Sequence, residues 1–216
     1  MHIAHCARTH IVRALRPSRV CVEVGVARGD FAAQILEEAA PRQLYLVDPW
    51  WHDDDPEYQV DAANLPQPEM DEAHRFVRAR FSSDSRVQVV RCASPDAACQ
   101  FPSGAMDWVF LDGKHTCKAV VSDLLAWERT MTTQTGLFIC HDYLANREAE
   151  ALHFGVVDAV LWFCKTRGWR IVVRTDEKYS TVVLAQSRRG AARILRGLWS
   201  IGVRFRTVDE AEEWAL

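Results

Sequence analysis

The chain has 216 residues, 49% of them hydrophobic and 25% charged, with a formal net charge of −3. That length suits one domain around one sizeable core, and the balance excludes a disordered or collagen-like chain. The charge gives no global basic footprint for nucleic acid, and no run of about 18 apolar residues offers a membrane span.

Met1–Arg16 mixes His and Arg with short apolar stretches and lacks the apolar centre of a secretory signal. Seven cysteines (Cys6, Cys21, Cys92, Cys99, Cys117, Cys140 and Cys164) are scattered, odd in number and without a C-x-x-C pair. A zinc ribbon or thioredoxin motif is therefore not expected; free thiols in a reducing, cytoplasmic compartment are.

From there on, short apolar runs alternate with longer amphipathic stretches. Val20–Val24, Leu44–Val47, Val87–Val90, Trp108–Leu111, Leu137–Cys140, Ile171–Arg174 and Thr181–Leu184 read as buried strands. Between them the pattern predicts helices over Phe31–Ala39, with Asp30 as N-cap, Lys118–Glu128 and Arg147–Lys165. In the last, Leu152, Val156, Val160 and Phe163 fall on one face. Strands alternating with helices imply a mostly parallel sheet. Only Thr175–Ser180 separates the final two strands, too short for a helical crossover, so they should pair antiparallel.

Two regions stand apart. Trp51–Met70 is polar and carries Asp53, Asp54, Asp55, Glu57 and Asp61; it reads as a long loop or lid, or as a plain solvated loop. A domain over residues 1–187 is then followed by a tail, 188–216. There Ala191, Ile194, Leu195, Leu198 and Trp199 share one helical face, and Arg189, Arg193 and Arg196 another. Such a basic amphipathic helix more commonly packs on its own domain or a dimer mate than on an anionic membrane.

The first chemical signal is Glu23-Val-Gly25-Val-Ala-Arg-Gly29-Asp30, between a strand and a helix. Glycine lets the backbone turn sharply and approach a ligand, and the helix N-terminus behind it offers free N–H groups. Without a ligand, the same residues make an ordinary strand–helix turn. The second signal is Asp48, ending the second strand 19 residues past Gly29, a spacing suited to ribose hydroxyls or to a strand-end turn cap. The third and fourth are Asp107-Trp-Val-Phe-Leu-Asp112-Gly-Lys114-His115 and Gly136-Leu-Phe-Ile-Cys-His141-Asp142-Tyr143. Ligands gather at the carboxyl ends of strands in such sheets, so Asp112, His141 and Asp142 should converge. Two carboxylates and an imidazole can hold a divalent ion: the oxygen ligands suit Mg²⁺ or Ca²⁺, and the imidazole also admits Mn²⁺ or Fe²⁺. Each also has a plainer use: Asp107 as a strand cap, His115 as a helix-entry residue, His141 as a loop histidine.

Glu23-Val-Gly25-Val-Ala-Arg-Gly29 with Asp48 departs from the dinucleotide G-x-G-x-x-G pattern. It resembles the first two motifs of class I S-adenosylmethionine-dependent methyltransferases. Asp112-Gly-x-His115, then Asp123 and Trp127, then His141-Asp142-Tyr143 is similar to the metal-dependent O-methyltransferases of sugars and antibiotics. The likeness spans about Val20 to Gln186. It implies an α/β, Rossmann-like doubly wound sheet of seven strands with an antiparallel last strand. It implies that Glu23, Gly25, Gly29, Asp48, Ser94 and Asp112 meet S-adenosylmethionine, and that Asp112, His141 and Asp142 hold Mg²⁺ or another divalent metal. It leaves His141, Lys114 and His115 as proton-transfer candidates. Ser94-Pro95 also reads as a helix cap, and Trp50 and Trp51 either flank the adenine or substrate or close a core edge.

The chain departs from that family twice. Lys114 stands where a second Asp is usual, and Thr116-Cys117 where Ser-Tyr is usual. A lysine serves as base only if its pKa is lowered; otherwise Lys114 neutralises the acidic cluster. The expected activity is methyl transfer to a small-molecule hydroxyl, with no nucleic-acid partner. The alternatives are a non-catalytic cofactor-binding or scaffold protein, a nicotinamide oxidoreductase, and a methyltransferase acting on protein or nucleic acid.

Overall fold

A computed structural model describes residues 1–208. The expectations for 209–216, the end of the tail, fall outside the described residues. Among the described residues nine strands form one sheet: β1 (His2–Ala4), β2 (Val20–Val24), β3 (Gln43–Asp48), β4 (Val87–Arg91), β5 (Trp108–Leu111), β6 (Leu137–Cys140), β7 (Arg170–Thr175), β8 (Val182–Ala185) and β9 (Phe205–Thr207). Their order is β4-β3-β2-β5-β6-β8-β7-β1-β9. β8 runs antiparallel between β6 and β7, as the short Thr175–Ser180 link requires. The expected seven strands are present, and two more extend the sheet. β1 pairs parallel to β7 and β9 antiparallel to β1. Each has three residues, too few to show a period of two in the sequence.

The helices are α1 (Arg8–Ala14), α2 (Asp30–Glu38), α3 (Gln67–Arg80), α4 (Ser94–Ala98), α5 (Cys117–Glu128), α6 (Arg147–Ala151), α7 (Val156–Arg167) and α8 (Arg188–Ser200). Alternation along the buried strands sorts the core onto two faces. Trp108 and Phe110 join Ile11, Phe31, Ile35, Val77 and Ile194 on one side. Val109 and Leu111 join Leu124, Trp127, Val160 and Phe163 on the other. No helix among the described residues is long and apolar enough to cross a membrane.

Three expectations are corrected. The loop after β3 ends at Pro66, because Gln67–Met70 already belong to α3. Asp30 is the first residue of α2; the cap position belongs to left-handed Gly29, and Asp30 instead bonds Arg80. The helix expected over Arg147–Lys165 is broken into α6 and α7. The break comes where His153 takes a φ of 56° and Gly155 lies against Cys117, so close that a Cβ would stand 2.5 Å from the Cys117 nitrogen. Local periodicity cannot register that tertiary approach.

The tail helix packs on the domain. Ile194 and Leu198 are buried in the first core cluster, and Gly197 meets α1 so closely that a Cβ would stand 1.9 Å from the Ala14 carbonyl oxygen. Trp199 does not share this burial; it is 76% exposed. Arg193 reaches back to the Thr135 carbonyl, at 3.3 Å, and to Asp107. Asp107 also accepts from the Arg19 amide at 2.7 Å, which ties the strand start.

Candidate functional site

The sheet order reverses between β2 and β5: β3 and β4 lie to one side, β5 and β6 to the other. Ligand crevices form outside the carboxyl ends of strands at such a reversal. The Gly25–Gly29 loop follows β2 and Asp112 follows β5, so both edge this point. Their approach demands glycine. Gly25 has a φ of 83°, and a Cβ there would lie 2.0 Å from the Asp112 carbonyl oxygen.

Asp48 holds this loop from below. One carboxylate oxygen accepts from the Val26 and Ala27 amides at 2.9 and 3.1 Å, and the other from Trp50 at 2.7 Å. Three of roughly four acceptor directions are thereby used. Burial still raises the Asp48 pKa, against those amide bonds. Trp50 is fully buried, its indole N–H donating to the Ala27 carbonyl at 2.9 Å; it closes the loop from inside, whereas Trp51 is exposed. Glu23 lies sealed under the loop at 1% exposure. Its Oε2 makes no hydrogen bond, and burial, reinforced by Asp112, drives its pKa well up.

At the ends of β5 and β6 four side chains meet. His141 Nδ1 is 3.3 Å from Asp112 Oδ1 and 3.1 Å from Asp142 Oδ1. His115 Nε2 is 2.9 Å from Asp142 Oδ2 and 3.6 Å from Asp112 Oδ1. Both imidazole nitrogens are enclosed and lack hydrogen-bond geometry toward those oxygens. One donor atom each from Asp112, His115 and Asp142 lie within 4.8 Å of one another. Burial alone would raise the Asp112 and Asp142 carboxyls, but the two imidazoles outweigh it and lower both. Burial likewise opposes the protonated imidazoles, yet the carboxylates raise His115 well up and His141 to about 9.

Lys114 goes elsewhere. Its Nζ bonds Asp53 at 2.8 Å and Asp55 at 2.6 Å, both in the 49–66 loop. Burial would lower its pKa, and these two carboxylates reverse that into a rise. The lowered lysine a base requires is therefore not what forms here, and Lys114 neutralises the loop rather than the Asp112 cluster. Ser94 is also engaged: its Oγ accepts from the Trp127 indole at 2.9 Å and bonds Asp123.

Three contributors were not found by sequence reasoning. Arg8, from α1, donates to Asp112 Oδ2 at 2.8 Å and lies 4.3 Å over the Phe31 ring. Asp61 stands 2.9 Å from His115 Nδ1. Phe154, in the break between α6 and α7, lies against the His115 ring at 4.4 Å, tilted by 37°. Arg8 and Phe154 carry no local signal, since each reaches the site through tertiary packing. Asp61 was visible only as one acid among several in a polar loop.

The donor atoms that converge are those of Asp112, His115 and Asp142, so His115 stands where His141 is expected from the sequence as the nitrogen ligand. Two carboxylates and one imidazole, its Nε2 buried without a hydrogen bond, fit a divalent cation of the Mg²⁺ to Fe²⁺ group. The orphaned Glu23 Oε2 leaves an unpaired acceptor beneath the loop, which fits a polar ligand there.

Residues 22–143, more than half the chain, match the model of a methyltransferase domain family. No curated protein matches. Among solved structures, a Corynebacterium glutamicum protein is similar at 15% identity over 83% of this chain and 80% of that one, with a TM-score of 0.56. An S-adenosylmethionine-dependent methyltransferase from Aquifex aeolicus is similar at 13% identity over 79% and 83%, TM-score 0.54. A precorrin-6y C5,15-methyltransferase from Geobacter metallireducens is similar at 13% over 82% and 86%, TM-score 0.54. At such identities the likeness is one of fold, whereas the family match is one of sequence. The chain belongs to the methyltransferase domain family, and its fold is the one shared by the S-adenosylmethionine-dependent methyltransferase it resembles.

Proposed function

We propose that this protein transfers the methyl group of S-adenosylmethionine to a hydroxyl oxygen of a small molecule, with a divalent cation beside the acceptor. The observation that carries this reading is the convergence of Asp112, His115 and Asp142, with His141 against the two carboxylates, at the reversal of the sheet.

In this reading Gly25–Gly29 and the N-terminus of α2 receive the methionine end of the cofactor. The remaining acceptor capacity of Asp48 meets the ribose, and Ser94 borders the adenine side. Asp112 and Asp142 hold the cation, with imidazole as the third donor. The cation would supply a positive charge that lowers the pKa of a nearby acceptor hydroxyl. His141 would accept the hydroxyl proton in its neutral form, which a cation's charge would favour against the carboxylates that raise its pKa. The acceptor oxygen then forms its bond to the methyl carbon as the carbon–sulfur bond breaks, and the electron pair leaves on sulfur. The chain's main contribution is alignment of oxygen, carbon and sulfur. The loop 49–66, clasped by Lys114, shields the site from water.

A second reading is a cofactor-binding protein that transfers nothing. Arg8 favours it, because its guanidinium already neutralises Asp112. Calorimetric titration with S-adenosylmethionine, in Mg²⁺ and again in EDTA, followed by turnover against hydroxylated small molecules, separates the two. Cofactor binding with Mg²⁺-dependent turnover supports transfer. Binding without turnover on any acceptor favours the second reading, and no binding overturns both.

A further inference from the structure

We propose that Asp61, on the 49–66 loop, is a positioning residue that holds His115 as the nitrogen ligand of the divalent-cation site, so that the site is complete only when the loop is closed. The inference rests on the reading above for the cation and assigns this loop a part in binding it.

His115 has two ring nitrogens with different surroundings. Nδ1 faces Asp61 Oδ2 at 2.9 Å, and both side chains are nearly buried, 12% and 8% exposed. A carboxylate on Nδ1 fixes the proton there and leaves the lone pair on Nε2. Nε2 is the enclosed nitrogen without a hydrogen bond, and it points into the space shared with Asp142 and Asp112. The Phe154 ring lies 4.4 Å from it, tilted by 37°, so the imidazole is contacted on two sides. Carboxylate, imidazole and cation in line form a common arrangement in metal sites.

Asp61 does not belong to the strands that build the cluster. It arrives on a loop whose turns are tied internally, with Asp61 Oδ1 accepting from the Ala63 amide at 2.8 Å. The loop is fastened a second time where Lys114 meets Asp53 and Asp55. Opening the loop would withdraw Asp61 and leave His115 free to turn. Because coupling is reciprocal, a bound cation must in turn favour the closed loop.

The test uses the full chain and Mn²⁺ alone. Affinity is measured by calorimetry, and amide exchange is followed over residues 51–66 with and without Mn²⁺. Asp61→Asn is expected to weaken Mn²⁺ by about 10- to 100-fold, with Asp61→Glu recovering part of the loss. S-adenosylmethionine affinity should not change. Mn²⁺ should slow exchange in the loop of the unaltered protein and fail to do so in Asp61→Asn. Folded Asp61→Asn with unchanged Mn²⁺ affinity overturns the proposal while the cation reading stands. If the unaltered protein binds cofactor but no Mn²⁺, the cation reading and this proposal fall together. Should Asp61→Asn not fold, ring ¹⁵N shifts of the unaltered chain with Zn²⁺ decide: a protonated Nδ1 and metal-bound Nε2 on His115 support it, and the opposite assignment sinks it.

Discussion

Arg8 Nη1 lies 2.8 Å from Asp112 Oδ2, joining a helix at the chain start to a strand end 104 residues later. The pair is partly buried, and the guanidinium also rests on Phe31. A cation at Asp112 would therefore share that carboxylate with Arg8. Arg8→Met should raise Mn²⁺ affinity several-fold, since it removes a like charge from the site. It should also cost about 1–2 kcal/mol of stability through the lost pair and ring contact. Calorimetry and urea unfolding read the two effects separately; weaker Mn²⁺ binding would show that Arg8 instead orients Asp112 for the cation.

Asp142 sits at the end of β6 with a φ of 54°, a conformation that Asn tolerates. Asp142→Asn keeps this backbone and removes one carboxylate from the cluster. Methyl transfer should fall by about two orders of magnitude or more, the scale of losing a group that acts on transition-state charge. Cofactor affinity by calorimetry should stay near its original value. Joint loss of both would place Asp142 in cofactor binding.

Asp123 is buried beneath Ser94, and desolvation, only partly offset by the Ser94 bond, lifts its carboxyl from 3.8 to about 7. Below about pH 4 it is neutral in both states, and its contribution to stability is fully present. Between about 4 and 7 the unfolded chain ionises while the fold retains the proton, so that contribution is lost as pH rises. Asp123→Asn cannot titrate. The stability difference between the two proteins should therefore shrink toward or past zero from pH 4 to 7 and be level above, in urea unfolding across that range. A flat difference would show that Asp123 is ionised in the fold.

Ile194 and Trp199 lie on the same tail helix with opposite surroundings, one buried at 0% exposure and the other exposed. Ile194→Ala should cost about 2–5 kcal/mol, as core truncations do. Trp199→Ser should stay within about 0.5 kcal/mol. Chemical unfolding of the two variants checks this; equal effects would mean that Trp199 is covered in solution.

The strands Val20–Val24, Trp108–Leu111 and Leu137–Cys140 were legible to the residue because both faces of each are buried. A buried strand reads as a continuous apolar run. The glycine loop, Asp48, Asp112 and the His141-Asp142 pair were legible for a related reason. Each ends or directly follows a strand, and the alternation of strands and helices sends those ends to one edge. β1 and β9 were not legible, because three residues carry no period; α1 and the fourteen-residue α3 were not among the predicted helices either. Neither was the break between α6 and α7, where a four-residue spacing of apolar side chains runs straight through.

By itself the sequence determined the alternating α/β order, the antiparallel pairing forced by Thr175–Ser180, and which residues end at the crevice. Those follow from patterns within a few residues and from strand–helix connectivity. Tertiary structure alone decided what those residues meet there: Lys114 on Asp53 and Asp55, Asp61 and Phe154 on His115, Arg8 on Asp112. Charges and rings interact over a few ångströms of space whatever their separation along the chain, so a local pattern carries no record of them.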